Sequence, residues 1–212
     1  MGQSADGSTL AYGLGDDGVD RIAVMVNEVS GPFFKQVGTP ILSADGKTVA
    51  YRATEDGDSW FIVKNGKKAS LSSDSLTDPA VSRDGSVLAF AAETEKPFLF
   101  VGDRRIEIPR MPRSVFLSHD GGSWGYVTRN AVVTPQGTSE TFDVIRRPEF
   151  SPDGRHVLFA GRKGEQWFIV VGGRKFEAPG LIGEPIWSVD GLQIGYGALL
   201  GREVWWKIIS LE

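Results

Sequence analysis

The string Ser-x-Asp-Gly recurs six times along this chain, and that recurrence limits its fold more tightly than any other feature. Its aspartates are Asp6, Asp45, Asp84, Asp120, Asp153 and Asp190, at intervals of 39, 39, 36, 33 and 37 residues. Two positions ahead of them stand Ser4, Ser43, Ser82, Ser118, Ser151 and Ser188. Four positions after each Asp is an apolar residue: Leu10, Val49, Leu88, Trp124, Val157 and Ile194. Six after is always an aromatic ring: Tyr12, Tyr51, Phe90, Tyr126, Phe159 and Tyr196. The residue between is small (Ala11, Ala50, Ala89, Gly125, Gly195) except at Leu158. A period of this length marks a repeat architecture, in which each unit is one supersecondary motif.

Each position has a mechanical reason. Asp or Ser at the head of a tight reversal accepts hydrogen bonds from amides left unpaired there, and Gly supplies positive φ. Residues four and six past the Asp share a face of the outgoing strand, because side chains alternate with period two. The six aspartates therefore read as structural turn residues, not as catalytic carboxylates.

Further strands follow in every unit. The runs Ile22–Val26, Trp60–Val63, Phe98–Val101, Ala131–Val133, Trp167–Val171 and Val204–Ile209 are rich in β-branched and aromatic residues. Several are apolar without alternation, as in sheets covered on both faces. Asn65-Gly66, Gly102-Asp103 and Gly172-Gly173 suit two-residue hairpins, and each precedes two basic residues. Pro40, Pro79, Pro148 and Pro185 stand five residues before the next Asp, where each would open an inner strand; Val115 holds that place in the fourth unit. The unit is thus four strands in about 36 residues, the size of a propeller blade.

The segment 148–159, Pro-Glu-Phe-Ser-Pro-Asp-Gly-Arg-His-Val-Leu-Phe, resembles the repeat of TolB-type propellers. The same repeat occurs in the propeller domains of prolyl-oligopeptidase-like and tricorn-like proteases. The resemblance runs through the whole chain, repeat by repeat, and it implies an all-β, six-bladed β-propeller. It also implies an interaction module, with a periplasmic setting if TolB is the right comparison. The boundaries expected are a single domain over 1–212, with repeats at about 1–36, 37–75, 76–111, 112–145, 146–181 and 182–212. The first unit begins at its turn and the last ends after its third strand, so both terminal blades are expected to have three strands.

Composition narrows the function. The net charge of −4 gives no basic face for nucleic acid, and no apolar run is long enough for membrane insertion. No signal-peptide pattern opens the chain. With zero cysteines there is no disulfide, thiol nucleophile or thiolate metal site. The only histidines, His119 and His156, both adjoin Asp-Gly turns and read as solvated turn residues. No metal site, cofactor or catalytic residue is expected. Gly13-Leu14-Gly15 has no following helix to make a phosphate loop.

One group rises above this background. Arg110 and Arg113, then Arg146 and Arg147, with Arg162 and Lys163 nearby in sequence position, fall on loops expected to share one face around a central channel. Clustered guanidinium groups suit bidentate recognition of carboxylate or phosphate, although Glu149, Glu165 and Glu184 could pair with them instead. The reading is a non-catalytic binding module, taking a protein or peptide partner or an acidic small ligand at the channel mouth. Two alternatives remain: a propeller domain of a larger hydrolase or peptidase, and a small carbohydrate-active enzyme with an acidic channel site.

Overall fold

The structure is a computed structural model that describes residues 1–16 and 19–211. Among these there is no helix, and hence none long and apolar enough to cross a membrane. The chain folds into six antiparallel sheets taken up one after another. The first runs Gly2–Gln3, Leu10–Asp16, Val19–Val26, Val29–Phe34. In the second, Gln36–Val37 and Ile41–Leu42 both pair with Val49–Thr54, followed by Trp60–Lys64 and Lys67–Ser73. The third repeats this with Ser75–Leu76 and Ala80–Val81 on Leu88–Glu93, then Pro97–Val101 and Arg104–Glu107. The fourth is Ser114–Leu117, Trp124–Val127, Val132–Thr134 and Gly137–Thr138. The fifth is Val144–Phe150, Val157–Lys163, Gln166–Val171 and Arg174–Glu177, and the sixth Ile186–Trp187, Gln193–Leu200 and Glu203–Ser210.

The last sheet has the three strands expected of it, but the first has four. Gly2 and Gln3 pair with Ala11 and Leu10, and Ser4 N–H donates to Thr9 O at 2.9 Å. Two residues suffice for an inner strand, because in the second and third sheets the corresponding strand is also only two residues beside its turn. The prolines behave as expected at Pro40, Pro79 and Pro185, each just ahead of such a strand. Pro148 does not open its strand. It lies inside Val144–Phe150, where the register shifts between Arg146 and Glu149; a bulge frees a position that owes no ladder hydrogen bond.

The turns are built alike. Each Asp Oδ1 accepts the serine hydroxyl at 2.5–2.7 Å and the amide two residues on at 2.9–3.1 Å. The serine Oγ in turn accepts the amide five residues ahead at 2.8–3.0 Å. These bonds favour the ionised aspartate. Bonds from Ser8 and Ser4 lower Asp6 to about 2, and those from Ser82 and Ser86 lower Asp84 to about 2. Asp45, Asp120, Asp153 and Asp190 are lowered for the same reason, their serine partners leading. A carboxyl lowered on folding lends stability that is complete above its unfolded value, near pH 4, and lost as the pH falls through about 2. Urea midpoints should therefore be flat above about pH 5 and drop steeply below pH 4, with Asp84→Asn lowering the plateau and softening the drop.

The chain groups into two compact units, Met1–Trp124 and Gly125–Glu212. Within the first, consecutive turns are tied by backbone bonds: Ala5 N–H to Ala44 O at 3.0 Å, Ala44 N–H to Arg83 O at 2.8 Å, and Arg83 N–H to His119 O at 2.8 Å. The small residue of one sheet receives the apolar and aromatic residues of the next. Ala11 packs in one buried cluster with Val49 and Tyr51. In the second unit Leu158, the large exception, is fully buried and packs with Ile194 and Tyr196.

The six third-strand runs all form strands, within a residue or three of their expected limits. Asn65-Gly66, Gly102-Asp103 and Gly172-Gly173 close two-residue hairpins. A fourth, Asn27-Glu28, does the same with both residues at positive φ.

Candidate functional site

The arginines at 146, 147 and 162 meet on the fifth sheet. Arg146 pairs across the ladder with Ala160, and Arg162 with Trp167. Alternation then puts Arg146, Ala160, Arg162 and Trp167 on one face. That face holds the core of the second unit, against which Trp167 and Trp187 both pack. The Arg146 guanidinium sits 4.3 Å from the Trp167 ring centroid and that of Arg162 5.8 Å. Two cations near one indole ring are each attracted to it and repel one another.

Neither guanidinium has a carboxylate partner among the described residues, and Arg162 Nε is buried without a hydrogen bond. The second sheet holds a comparable cation–indole stack whose guanidinium does have a carboxylate partner. Arg52 lies 4.5 Å over Trp60, the repeat's counterpart of Trp167. Its guanidinium is ion-paired with Asp78, Nε lying 2.9 Å from Asp78 Oδ1, and its Nη1 donates to Leu76 O at 2.7 Å, although Nε itself, like that of Arg162, is buried without an aligned hydrogen bond. Asp78 precedes Pro79, and Glu184 precedes Pro185 in the corresponding place. In the second unit, however, Glu184 is taken by Arg147 at 2.7 Å. Arg146 and Arg162 are left without it.

The bulge makes that exchange possible. Arg147 is at φ +37, a region that costs a residue with a Cβ about 1–2 kcal/mol. The strain turns Arg147 out of the strand toward Glu184, and the bond to Glu184 raises its pKa. Two residues on, burial raises the Glu149 carboxyl above the ordinary range; Arg147 pulls it down and Glu184 pushes it up. Trp187 Nε1 is a second buried donor without a partner. The fifth sheet therefore offers two guanidinium groups near one indole ring with no carboxylate partner, one of them with a buried, unbonded Nε–H.

Other expected site residues fall elsewhere. Arg110 and Arg113 belong to the first unit, where both are exposed. Lys163 is engaged with Glu140 at 2.5 Å, and Lys175 joins the same carboxylate at 2.9 Å. The basic residues after the hairpins are stacked: Lys68 is 3.8 Å over Phe61, Arg105 is 3.6 Å over Phe98, and Lys175 is 4.8 Å over Phe168. The aromatic residue on the neighbouring strand is the sequence signal for this stacking.

His156 is exposed, as expected, but it also lines a cleft of about 420 Å³ with Thr134, Gln136, Ser139, Arg155 and Phe159. Its side chain makes no hydrogen bond among the described residues, and Asp153 beside it is committed to its turn. No group of three His, Asp or Glu among the described residues could hold a metal ion.

No protein-family profile matches the chain, and neither does any curated protein sequence. Among solved structures it is similar to the crystal structure of TolB from Acinetobacter baumannii, at a TM-score of 0.52 and 15% identity. The alignment covers 95% of this chain and 60% of that one, so this chain spans about three fifths of the TolB chain's length. At that identity the likeness concerns the fold: the chain has a TolB-like all-β fold built of successive antiparallel sheets.

Proposed function

We propose that the chain is a non-catalytic interaction module, a six-bladed β-propeller that takes an acidic peptide segment of a protein partner on its fifth blade. The observation that carries this reading is the unpaired state of Arg146 and Arg162 over Trp167, with Arg162 Nε buried and unbonded. Arg52, stacked over Trp60 in the second sheet, does have an anion, Asp78. A buried N–H without an acceptor, as at Arg162 Nε, is costly, and an incoming carboxylate would supply an anion for these guanidinium groups as Asp78 does for Arg52. Guanidinium groups favour carboxylates through paired, charge-assisted bonds. The indole of Trp167 gives the floor on which the cations are held. The TolB-like fold supports an architecture of this kind without specifying a partner.

Titration with a short oligoglutamate peptide, followed by tryptophan fluorescence, tests the reading. The net charge of −4 repels such a peptide overall, so saturable binding must come from a local site. Binding should saturate, weaken with salt as surface electrostatics are screened, and be absent for an oligolysine peptide. No saturation, or equal binding of the two peptides, overturns it.

A further inference from the structure

The outermost strands of five sheets carry features that discourage edge-to-edge pairing. Lys67–Ser73, Arg104–Glu107 and Arg174–Glu177 each begin with two basic residues, Val29–Phe34 contains Pro32, and Gly137–Thr138 is two residues long. The sixth sheet has none of these. Its edge is Glu203–Ser210, eight residues paired on one side only, with Gln193–Leu200. Along it Val204 is 71% exposed, Trp205 49%, Trp206 59% and Ile208 59%.

The free edge has a defined register. Leu211 N–H donates to Leu192 O across the ladder, so odd-numbered residues direct their backbone polar groups at the neighbouring strand. Val204, Trp206 and Ile208 direct theirs outward. An incoming antiparallel copy of the same strand must set even residues opposite even ones. Placing Trp205 opposite Trp205 does so, and pairs Val204 with Trp206. It also sets Glu203 of each copy opposite Lys207 of the other, so both charges on the strand are matched twice over. Shifting the register by two positions either way loses those pairs, and shifting by four sets Lys207 against Lys207 or Glu203 against Glu203. Opposite charges facing across strands stabilise, and like charges destabilise.

We propose that Glu203–Ser210 is a self-complementary edge through which two copies of this chain pair antiparallel about a two-fold axis at Trp205. The contact uses the same patch on both copies and closes at two.

Sedimentation of the full chain from dilute to concentrated solution should show a reversible monomer–dimer equilibrium. Glu203→Lys and Lys207→Glu, both on the exposed edge, should each weaken dimerisation by about tenfold or more. The double variant Glu203→Lys/Lys207→Glu should restore it, because it swaps both members of each pair. A chain that stays monomeric throughout, or assembles without limit, overturns the proposal, as does a double variant no better than the single ones. Circular dichroism on each variant confirms that the sheets persist, and the unmodified chain decides the first outcome by itself. None of these results bears on oligoglutamate binding at Arg146 and Arg162.

Discussion

Gly85→Ala is expected to lower the stability of the first unit by about 2–5 kcal/mol, whereas Gly66→Ala should cost only about 1 kcal/mol. The two glycines have nearly the same backbone, φ +75 and +74. Positive φ alone therefore cannot separate them. What differs is the space around a new methyl group. At Gly66 nothing lies within 4 Å of the added Cβ. At Gly85 that atom would meet the Thr48 side chain, with Thr48 Cβ at 2.7 Å and Ser43 Cβ at 3.1 Å. Both belong to the preceding turn, which cannot retreat. Ser43 is fully buried and bonded to Asp45 and to the Thr48 amide, and Ala44 N–H is tied to Arg83 O. The same stacking recurs at Gly46, beneath Thr9, and at Gly121, beneath Val87. For a chain of this size the Gly85 loss corresponds to a melting temperature lower by about 5–15 °C. Equal effects of the two substitutions would show that only the turn, and not the stacking of turns, requires glycine.

The second large effect is on binding. Arg146→Glu with Arg162→Glu should weaken oligoglutamate binding by about a hundredfold to ten-thousandfold. Each lost charge-assisted bond is worth about 1.5–3 kcal/mol, and each 1.4 kcal/mol is about tenfold. The single change Arg162→Met separates a binding role from a structural one. Met retains the aliphatic reach over Trp167 but removes the buried, unbonded Nε–H. If the guanidinium is kept for a ligand, stability should hold or rise by about 1 kcal/mol while binding is lost. If it is a packing residue, both should fall together. Arg52→Met in the second sheet is the contrast. There the cation is paired with Asp78 and bonded to Leu76 O, so its removal should destabilise.

Most of the architecture was legible in the Ser-x-Asp-Gly register, because each residue there acts within its own turn or strand. Ser82, for example, bonds Asp84 and the Val87 amide, all within five residues. What escaped depends on neighbours a whole repeat away. The need for Gly85 beneath Thr48 spans 37 positions, and the second role of that glycine is hidden behind its first. The strand at Gly2–Gln3 was too short to register as a strand without its partner. Asn27-Glu28 escaped because Glu28 is an unusual residue for positive φ. In the site, the arginines were visible but their division was not. The adjacent pair Arg146-Arg147 reads as one feature, yet the bulge sends Arg147 to Glu184 and leaves Arg146 with Arg162 over Trp167. Only the comparison with Arg52 and Asp78 reveals which cations lack an anion.

The most direct measurement follows the side-chain N–H resonances of arginine and tryptophan in a ¹⁵N-labelled chain as oligoglutamate is added. The Arg162 Nε–H and Trp187 Nε1–H groups, buried and unbonded in the free chain, should move first and furthest, and the Arg52 guanidinium, already ion-paired with Asp78 and bonded through Nη1 to Leu76 O, should stay in place. Shifts confined to other surface groups, with Arg162 and Trp187 unmoved at saturation, would contradict the account.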